Sequence, residues 1–377
     1  YLALGEKRVA VSEGVTETVQ YLRKEVMGHA YSHRLITNSF SMSGTGPFGR
    51  RYMKMFVYLP EAVNPEAKKA LVQGFGCGMT AKALTDTASL TQIDVVDTSR
   101  NVLDMSRVVF PDPRDNPLND PRVRVHVEDG RFFLLATPEK YDIITGEPPP
   151  PQSAGVVNLY SREYFQMVKR ALAPGGVFTY GLHAIGMAPD QTRAILRAFL
   201  DVFPAGSLWS GSGYEWIMMG SREPMGPPTE EAFSRQWRDP VVGPEMRALG
   251  FFHPEQMGTF FLADGKRLAD WVGPVRPLMD DRPMSLDARG PVMPEYEDEY
   301  GAFMFSAGAE ENFFGSPTVA RMWPASLLEK TRPHFAVRNV ALSEFVESTF
   351  KQGYSLPRTI TTLDNPLLHD YVPWAFR

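Results

Sequence analysis

The chain has 377 residues, of which 43% are hydrophobic and 22% are charged, and its formal net charge is -5. This composition is close to the globular average, so the chain can bury enough apolar surface to fold, which excludes wholesale disorder. Lys and Arg do not cluster as a phosphate-binding surface would require, which argues against nucleic acid as a partner. No apolar run approaches the roughly 18 residues that a membrane-spanning helix needs.

The cysteine content and the first residues of the chain give information on the cellular compartment. Cys77 is the sole cysteine, so neither an intrachain disulfide framework nor a cysteine-based metal cluster is expected, and a cytoplasmic location fits. The sequence begins with Tyr1 and shows no charged segment followed by an apolar one, so no signal peptide is visible. A longer precursor is compatible with such a start.

Residues 1–60 are predicted to form a small β-rich region. Residues 13–21 alternate apolar and polar side chains with the period of two that is typical of a strand. Residues 38–49 are polar and rich in glycine, which predicts a loop. The apolar stretch 52–59 ends the region.

Residues 61–224 show short apolar strands that alternate with helices. Strands are predicted at 69–73, 92–96, 123–127, 141–145 and 177–180, and helices at 80–88 and 163–172. This alternation implies an α/β fold with a parallel sheet covered on both faces, in a Rossmann-like, doubly wound arrangement.

The C-terminal third has a less regular pattern. Residues 225–290, with helical character at 230–249, are assigned to the C-terminal part of the same unit, and residues 291–377 to an extension or arm. The segment 294–315 mixes acidic with aromatic residues, which predicts a peripheral arm or an interface. A plain solvated loop is the alternative.

A glycine loop and an acidic residue favour an adenosine ligand. Gly74, Gly76 and Gly78 follow a predicted strand and precede a helix, where bare backbone lets a nucleotide approach the helix N-terminus. Asp97 comes directly after the next strand, where a carboxylate can accept both ribose hydroxyls. An ordinary helix N-cap is the alternative role of Asp97.

Two further acids follow strands. Asp129 stands before Gly130, where it can take the adenine amino group or cap a helix. Glu147 precedes four prolines, residues 148–151. Ligands of open parallel sheets bind beyond the carboxyl ends of the strands, so Glu147 should face the same crevice as the glycine loop and suits a reacting carboxylate. A rigid surface turn with a solvated glutamate is the alternative.

Metal and dinucleotide chemistry have little support. Seven histidines form no compact ligand motif and are interpreted as structural, at 29, 33, 126, 183, 253, 334 and 369, so no metal is expected. Met79 stands where the last glycine of G-x-G-x-x-G would be, which argues against a dinucleotide dehydrogenase.

These residues resemble the spermidine synthase-like aminopropyltransferases, including the soluble parts of membrane-fused proteins of this type. The resemblance runs from about residue 13 to 287 and is clearest at 70–78, 93–97, 120–134, 141–144 and 159–165. It implies a sheet of the S-adenosylmethionine methyltransferase type, a donor that is S-adenosylmethionine or its decarboxylated form, and a small-molecule amine acceptor. A homo-oligomer, and a membrane-embedded segment or partner outside this chain, are compatible with it.

The resemblance also implies residue roles. Asp97 would hold the ribose, Asp129 with Gly130 would meet the adenine, Glu147 falls where the family has its catalytic aspartate, and Tyr52 matches a tyrosine of the active-site cleft. Three residues would cradle the donor: Gly74, Gly76 and Gly78.

Three positions depart from the family's pattern. Cys77 replaces an aspartate that binds the donor's amine, Pro150 replaces one that helps to bind the polyamine, and Met53 replaces a histidine. Burying an unpaired ammonium is costly, so the loss of two acids weakens the case for a decarboxylated donor with a diamine. Cys77 is interpreted as a small space-filling side chain, because no basic partner is visible near it.

Three functions follow from these residues. An aminopropyltransferase would use Glu147 to take a proton from an ammonium acceptor. A methyltransferase that uses intact S-adenosylmethionine is favoured by the absence of an acid at Cys77, which removes repulsion from the donor's carboxylate. The third is a nucleoside-binding module without catalysis that serves an assembly through its C-terminal arm.

Overall fold

The computed structural model describes residues 3–346 apart from 4, 15–16, 150, 152–154, 185–186, 213–214, 224–225, 283–293 and 306. Its N-terminal part confirms the predicted β-rich region. Four antiparallel strands pair in sequence order: β1 (Glu6–Glu13), β2 (Thr18–Val26), β3 (His29–Thr37) and β4 (Phe40–Gly44).

Two local predictions in this region are wrong. The alternation at 13–21 does not form one strand, because β1 ends at Glu13 and β2 begins at Thr18, and between them the amide of Gly14 donates to the carbonyl of Glu17 at 2.8 Å. Residues 38–49 hold β4 and the start of a helix rather than a loop. Asn38 and Ser39 have φ of 45° and 73°, so two left-handed residues suffice to turn the chain from β3 into β4.

The central sheet has eight strands in the order β12-β10-β11-β9-β8-β5-β6-β7. Their bounds are β5 (Lys69–Gln73), β6 (Gln92–Asp97), β7 (Val123–Val127), β8 (Tyr141–Gly146), β9 (Leu172–His183), β10 (Ser207–Ser212), β11 (Glu215–Ser221) and β12 (Phe261–Asp264). Strands β5 to β9 are parallel to their neighbours in this set, whereas β11 runs antiparallel to β9, β10 to β11, and β12 to β10.

The strand order confirms the predicted doubly wound, mostly parallel sheet. From β5 the chain moves to β6 and β7 on one side and then crosses to β8 and β9 on the other. The point where the order reverses therefore lies between β5 and β8, and open sheets of this kind bind ligands there, beyond the strand ends.

Helices cover the sheet. They are α1 (Pro47–Val63), α2 (Met79–Asp86), α3 (Arg100–Asp104), α4 (Ser106–Val109), α5 (Gly130–Ala136), α6 (Arg162–Ala171), α7 (Pro189–Val202), α8 (Glu230–Phe233), α9 (Arg235–Arg238), α10 (Val242–Ala248), α11 (Gly265–Val272), α12 (Pro294–Phe305), α13 (Ala307–Gly315), α14 (Pro317–Met322) and α15 (Ala325–Val346). Short 3-10 turns lie at Pro117–Asn119, Val157–Tyr160 and Pro254–Phe260. The helical pattern at 230–249 is divided among α8, α9 and α10, and Pro240, which cannot continue a helix, lies between α9 and α10.

Helix α1 contains the apolar stretch 52–59. Each of its residues from Arg51 onwards is buried, because it contacts α2 on one side and β8, β9 and β10 on the other. Pro47 opens the helix, where its fixed φ is favourable and its missing N–H costs nothing. The helix thereby lies at the strand ends that hold the candidate site.

The expectation of a peripheral arm at 294–315 is wrong for the described part of that segment. Tyr300, Phe303 and Met304 share one face of α12 and are buried. The indole N–H of Trp216 on β11 donates to the sulfur of Met304 at 3.3 Å. Aromatic residues three and four positions apart therefore form an inward helix face, and these helices extend the core.

The predicted boundaries between regions of the chain, at residues 60, 224 and 290, stay predictions. Within the described ranges, no helix is long and apolar enough to cross a bilayer.

Candidate active site

Three strand ends bring the glycine loop, Asp97 and Glu147 to one edge of the sheet. Oδ2 of Asp97 accepts a hydrogen bond from the amide of Phe75 at 2.7 Å. On the other side of the loop, a methyl group on Gly74 would lie 3.5 Å from the carbonyl oxygen of Glu147. The glycine loop is therefore flanked by the two acids, as the strand order requires.

The loop needs glycine for its backbone conformation. Gly74, Gly76 and Gly78 have φ of 86°, 54° and 83°, a region that side-chain-bearing residues rarely adopt. Strand β4 lies over this loop, because the amide of Cys77 donates to Oγ of Ser43 at 3.0 Å. The N-terminal sheet thus takes part in building the site.

Asp97 is not the cap of the following helix. Ser99 is the N-cap of α3 and accepts from the amide of Val102 at 3.0 Å, whereas Oδ1 of Asp97 accepts from the amide of Ser99 at 2.8 Å. Burial raises the pKa of Asp97, and the hydrogen bonds from Phe75 and Ser99 oppose that rise. The alternative interpretation of Asp97, as the N-cap of the following helix, is therefore wrong.

Asp129 does cap a helix. Its Oδ1 accepts from the amides of Arg131 and Phe132, each at 2.9 Å, at the start of α5. Next to it, the carbonyl of Gly130 accepts from Nε2 of Gln73 at 2.9 Å, which ties this turn to the end of β5. The adenine-binding role of Asp129 and Gly130 stays a prediction.

A cavity of about 300 Å³ opens next to Ser43, whose hydroxyl accepts from the amide of Cys77 in the glycine loop, although the three glycines of the loop do not line it. The N-terminal sheet and the first turns of α1 form one wall, and the ends of β8, β9 and β11 form the other. The candidate catalytic residues Tyr52 and Glu147 both line it, whereas Asp97 and Asp129 lie outside its wall. Its other reactive side chains are Tyr160, His183 and Glu215.

Glu147 is a carboxyl group in an environment that disfavours its charge. Burial raises the pKa of Glu147 well above its usual value, and the nearby charge of Glu215 adds to the rise. A cation brought into the cavity would favour the ionised form again. Glu147 is therefore suited to accept a proton from a positively charged ligand.

Tyr52 fits the site because glycines on two neighbouring strands leave space for its side chain. A methyl group on Gly181 of β9 would lie 2.5 Å from the Tyr52 hydroxyl, and one on Gly211 of β10 would clash with the Tyr52 ring. Burial raises the pKa of Tyr52 well above its usual value, and the negative charge of Glu147 raises this pKa further. Tyr52 therefore stays a neutral hydroxyl in contact with the cavity.

Sequence reasoning missed a hydrogen-bonded pair of side chains in the cavity wall. The register of β9 and β11 places His183 opposite Glu215, and Nδ1 of His183 lies 2.5 Å from Oε2 of Glu215. From the sequence His183 is expected to be structural like the other histidines, whereas in the structure it lines the cavity. An antiparallel pairing between distant segments gives no local signal in the sequence.

Tyr160 was also missed, although it lies in a segment that carries the family resemblance. Its hydroxyl donates to the carbonyl of Pro149 at 3.3 Å, which fixes the start of the proline run. Burial raises the pKa of Tyr160, and the charge of Glu147 raises it further. The described part of the run thus has a defined position beside Glu147.

Two of the three residues that depart from the family's pattern contact each other. Sγ of Cys77 lies 3.9 Å from Sδ of Met53, and both side chains are buried. Burial raises the pKa of the Cys77 thiol to about 12, which supports the space-filling interpretation. Pro150, the third departure, lies outside the described residues. In the described chain, no three His, Cys, Asp or Glu side chains are grouped to hold a metal ion.

Comparison with known proteins finds a family model that matches the segment holding this site. The family model of the spermine/spermidine synthase domain matches residues 49–208, a segment that includes the glycine loop, Asp97 and Glu147. Over this segment the chain is similar to the spermine/spermidine synthase domain. The membrane-fused character that the resemblance suggested stays a prediction.

Several curated relatives of this chain carry named activities. A polyamine aminopropyltransferase of Clostridium perfringens is 31% identical over 170 residues, which are 41% of this chain and 59% of the relative. One of Streptococcus pneumoniae is 36% identical over 174 residues, 44% of this chain and 60% of the relative. A spermidine synthase of Coffea arabica is 37% identical over 127 residues, 33% of this chain and 40% of the relative. The chain spans less than two thirds of each.

Two solved structures of spermidine synthases are similar to part of this chain at low sequence identity. A probable spermidine synthase of Corynebacterium glutamicum is 18% identical with a TM-score of 0.49, over 74% of this chain and 99% of that one. The spermidine synthase of Thermotoga maritima is 16% identical with a TM-score of 0.46, over 57% and 72%. The fold assignment rests on the strand order described above.

Proposed function

We propose that this chain transfers an aminopropyl group from decarboxylated S-adenosylmethionine to an amine, with Glu147 as the base. The observation that carries the proposal is the position of Glu147. Glu147 directly follows β8, which pairs with the strand β5 that precedes the glycine loop. Its side chain lines a cavity of ligand size. The names of the curated relatives support aminopropyl transfer.

The reaction requires a neutral nitrogen that attacks the carbon attached to the positively charged sulfur. A new C–N bond forms as the C–S bond breaks, and the electron pair goes to the sulfur, which leaves as neutral methylthioadenosine. The proton of the ammonium acceptor passes to Glu147, whose environment favours holding it. Charge is dispersed rather than created, so most of the acceleration comes from placing the two reactants.

Donor binding is proposed at the strand ends beside this cavity. The glycine loop would receive the adenosyl part of the donor, Asp97 its ribose hydroxyls, and Asp129 with Gly130 its adenine. The hydrogen bond from Phe75 holds the Asp97 carboxylate in place before any ligand arrives. Tyr52 would line the path from the donor's sulfur to the acceptor.

Methyl transfer from intact S-adenosylmethionine is the second candidate. It is favoured by the buried contact between Cys77 and Met53, because this part of the glycine loop presents no carboxylate that would repel the donor's own carboxylate. The two donors differ in that one group, so direct comparison of them separates the candidates.

The test is a product assay with each donor and a panel of amines, analysed by mass spectrometry. Aminopropyl transfer releases methylthioadenosine, whereas methyl transfer releases S-adenosylhomocysteine. Calorimetric titration with both donors and with methylthioadenosine measures binding independently. Donor binding without turnover on any amine would overturn the proposal and leave a nucleoside-binding module.

The acceptor, the cellular location and the oligomeric state are likewise proposed. A small-molecule amine is its acceptor, and a cytoplasmic location and a homo-oligomer fit the same proposal.

A further inference from the structure

The guanidinium group of Arg131 joins three separate segments of the chain. Arg131 directly follows Gly130, in the turn proposed to receive the adenine. Its Nη1 donates to the carbonyl of Asn158 and to Oγ of Ser161, the latter at 3.2 Å. Both terminal nitrogens also donate to Asp280, Nη1 to Oδ1 at 3.1 Å and Nη2 to Oδ2 at 2.5 Å. Only 14% of the Arg131 side chain is exposed, and bidentate bonds of this kind fix a guanidinium in one orientation.

The same group closes a ring of hydrogen bonds with the end of β5. Gln73, which precedes the glycine loop, donates from Nε2 to the carbonyl of Gly130 at 2.9 Å. Its Oε1 accepts from the hydroxyl of Tyr164 in α6. The amide of Tyr164 donates to Oγ of Ser161 at 3.2 Å, and Ser161 accepts from Arg131. Because Gln73 and Tyr164 are buried, the turn at Gly130 and the start of α6 cannot separate without leaving costly unmade hydrogen bonds.

The segment that this guanidinium holds is part of the cavity wall. Asn158 belongs to the 3-10 turn Val157–Tyr160, and Tyr160 at its end lines the cavity. The hydroxyl of Tyr160 donates to the carbonyl of Pro149 at 3.3 Å, shortly after Glu147 in the chain. A chain of direct contacts therefore leads from the proposed adenine turn, through the guanidinium, to the backbone beside Glu147.

Asp280 is itself anchored, so it can serve as a fixed partner. Its amide donates to Oε2 of Glu163 at 3.0 Å, and the carbonyl of Leu278 accepts from the amide of Arg162 at 3.0 Å. Both contacts are made to the first turn of α6. The carboxylate of Asp280 therefore reaches Arg131 from a segment that α6 holds in place.

We propose that Arg131, held by Asp280, is a positioning residue for the transfer step. It keeps the turn Val157–Tyr160 in register with the adenine turn, so that Tyr160 and Glu147 have fixed positions relative to the bound donor. This inference rests on the proposed function and gives Arg131 no contact with either reactant. Small displacements of reacting groups slow such a reaction strongly, because placement supplies most of the acceleration. A nucleoside bound at the adenine turn should also restrict the Tyr160 turn through the same bonds.

The first measurement compares transfer kinetics in Arg131→Gln, Arg131→Lys, Asp280→Asn and the double variant Arg131→Gln/Asp280→Asn. Arg131→Gln should lower kcat by about tenfold or more and leave the affinity for methylthioadenosine, measured by calorimetry, unchanged. Arg131→Lys keeps the charge but loses the bidentate geometry, so it should recover only part of kcat. Asp280→Asn, at a side chain that is 36% exposed, should show a smaller loss and replaces Arg131→Gln if that variant does not fold. Because the two residues form one pair, the double variant should lose less than the two single losses combined.

Arg122→Gln is the matched control. The Arg122 guanidinium also binds a carboxylate with two nitrogens, Nε to Oδ1 and Nη2 to Oδ2 of Asp120 at 2.9 and 2.7 Å. Its Nη1 donates to the carbonyls of Thr87 and Leu90 at 3.1 and 3.0 Å. It directly precedes β7, at the opposite end of that strand from the adenine turn. Its replacement should lower the unfolding temperature without the loss in kcat.

Hydrogen exchange followed by mass spectrometry tests the link without turnover. The amide of Leu159 donates to the carbonyl of Val156 at 2.8 Å, so peptides that cover residues 157–161 report on the opening of this turn. Methylthioadenosine should slow their exchange in wild type and in Arg122→Gln, and should slow it less in Arg131→Gln.

The outcomes separate the positioning role from the proposed function. Wild-type kcat in Arg131→Gln or its replacement, or an equal loss of kcat in Arg122→Gln, would overturn the role and leave the proposed function standing. Weaker methylthioadenosine binding in Arg131→Gln would also overturn it, because Arg131 would then belong to the donor site. If wild type binds methylthioadenosine but transfers nothing, the proposed function fails, and equal slowing of exchange in wild type and Arg131→Gln would overturn the link as well. A wild type that binds no methylthioadenosine would overturn both.

Discussion

The amide of Phe75 and the carboxylate of Asp97 are joined by a hydrogen bond of 2.7 Å. It connects the glycine loop after β5 to the end of β6, so the two parts of the proposed donor site hold each other in place. Because Asp97 also accepts from Ser99, both of its oxygens are oriented before a ligand binds. Preorganisation of this kind lowers the entropy cost of binding.

Replacing Asp97 by Ala should lower donor affinity by at least about tenfold, because a charge-assisted pair of hydrogen bonds to the ribose is lost. Isothermal titration with either donor measures the change. The matched control is Asp142→Ala, since Oδ2 of Asp142 accepts from the amides of Lys68 and Lys69 at 2.8 and 2.9 Å at the opposite end of β5. The ribose assignment fails if the two variants bind the donor equally well.

Glu147→Gln should leave donor affinity nearly intact and slow transfer by a factor on the order of a hundred or more, because the amide cannot take the acceptor's proton. Single-turnover kinetics with saturating donor isolate this step. Glu61→Gln is the control, since Glu61 is also a buried glutamate with a raised pKa but lies in α1 away from the cavity. A fully active Glu147→Gln variant would remove Glu147 from the mechanism.

The strands of the parallel sheet were predictable because each is a short apolar run bounded by glycine or polar residues. The predicted strand at 69–73 coincides with β5, and the strand at 123–127 with β7. The end of β1 at Glu13 and the start of β2 at Thr18 were not predictable, since the alternation of side chains in the sequence continues from one to the other. Local pattern therefore specifies an element well only where both of its ends carry a signal.

The same reasoning explains which site residues were found. Glu147 and Asp97 directly follow strands, so the topology alone brings them to one edge. Glu215 begins a strand whose partner, β9, is fixed by non-local antiparallel pairing, and His183 becomes a site residue through that pairing alone. The inward face of α12 was hidden by the acidic residues around it.

Cys77→Ala should retain transfer activity, because the thiol is fully buried against Met53 and its pKa is raised to about 12 by burial. The thiolate is the reactive form, so a thiol reagent should label the folded protein far more slowly than the unfolded one. Labelling with an aromatic disulfide, followed by absorbance, tests this. Rapid labelling under native conditions would mean that the glycine loop opens readily.

Gly78→Ala should destabilise the fold more than Gly28→Ala, although both glycines have φ near 82°. A methyl group at 78 would lie 2.7 Å from ring atoms of both Phe110 and Phe75, whereas nothing lies within 4 Å of one at 28. Left-handed strain costs each variant roughly 1–2 kcal/mol, and overpacking adds about 1–3 kcal/mol at 78 alone. Urea denaturation compares the two, and equal losses would contradict the packing of this loop.

The free energy of unfolding should fall between about pH 5 and pH 8 in wild type more than in Glu61→Gln. Burial raises the pKa of Glu61 from 4.5 to about 8, against the hydrogen bond from Ser89 and the charge of Arg235. A carboxyl group with a raised pKa in the folded state contributes stability that is complete below its unfolded pKa. That contribution is lost as pH rises, since the unfolded chain releases the proton first.

Urea unfolding of wild type and Glu61→Gln at several pH values isolates this group, because every other titrating residue, Glu147 included, is common to both proteins. The difference in stability between them should therefore change across this window and level off above about pH 8. A difference that is independent of pH would show that Glu61 is ionised in the folded protein at neutral pH. In that case its ion pair with Arg235, in which Oε1 and Nη2 are 3.2 Å apart, outweighs the cost of burial.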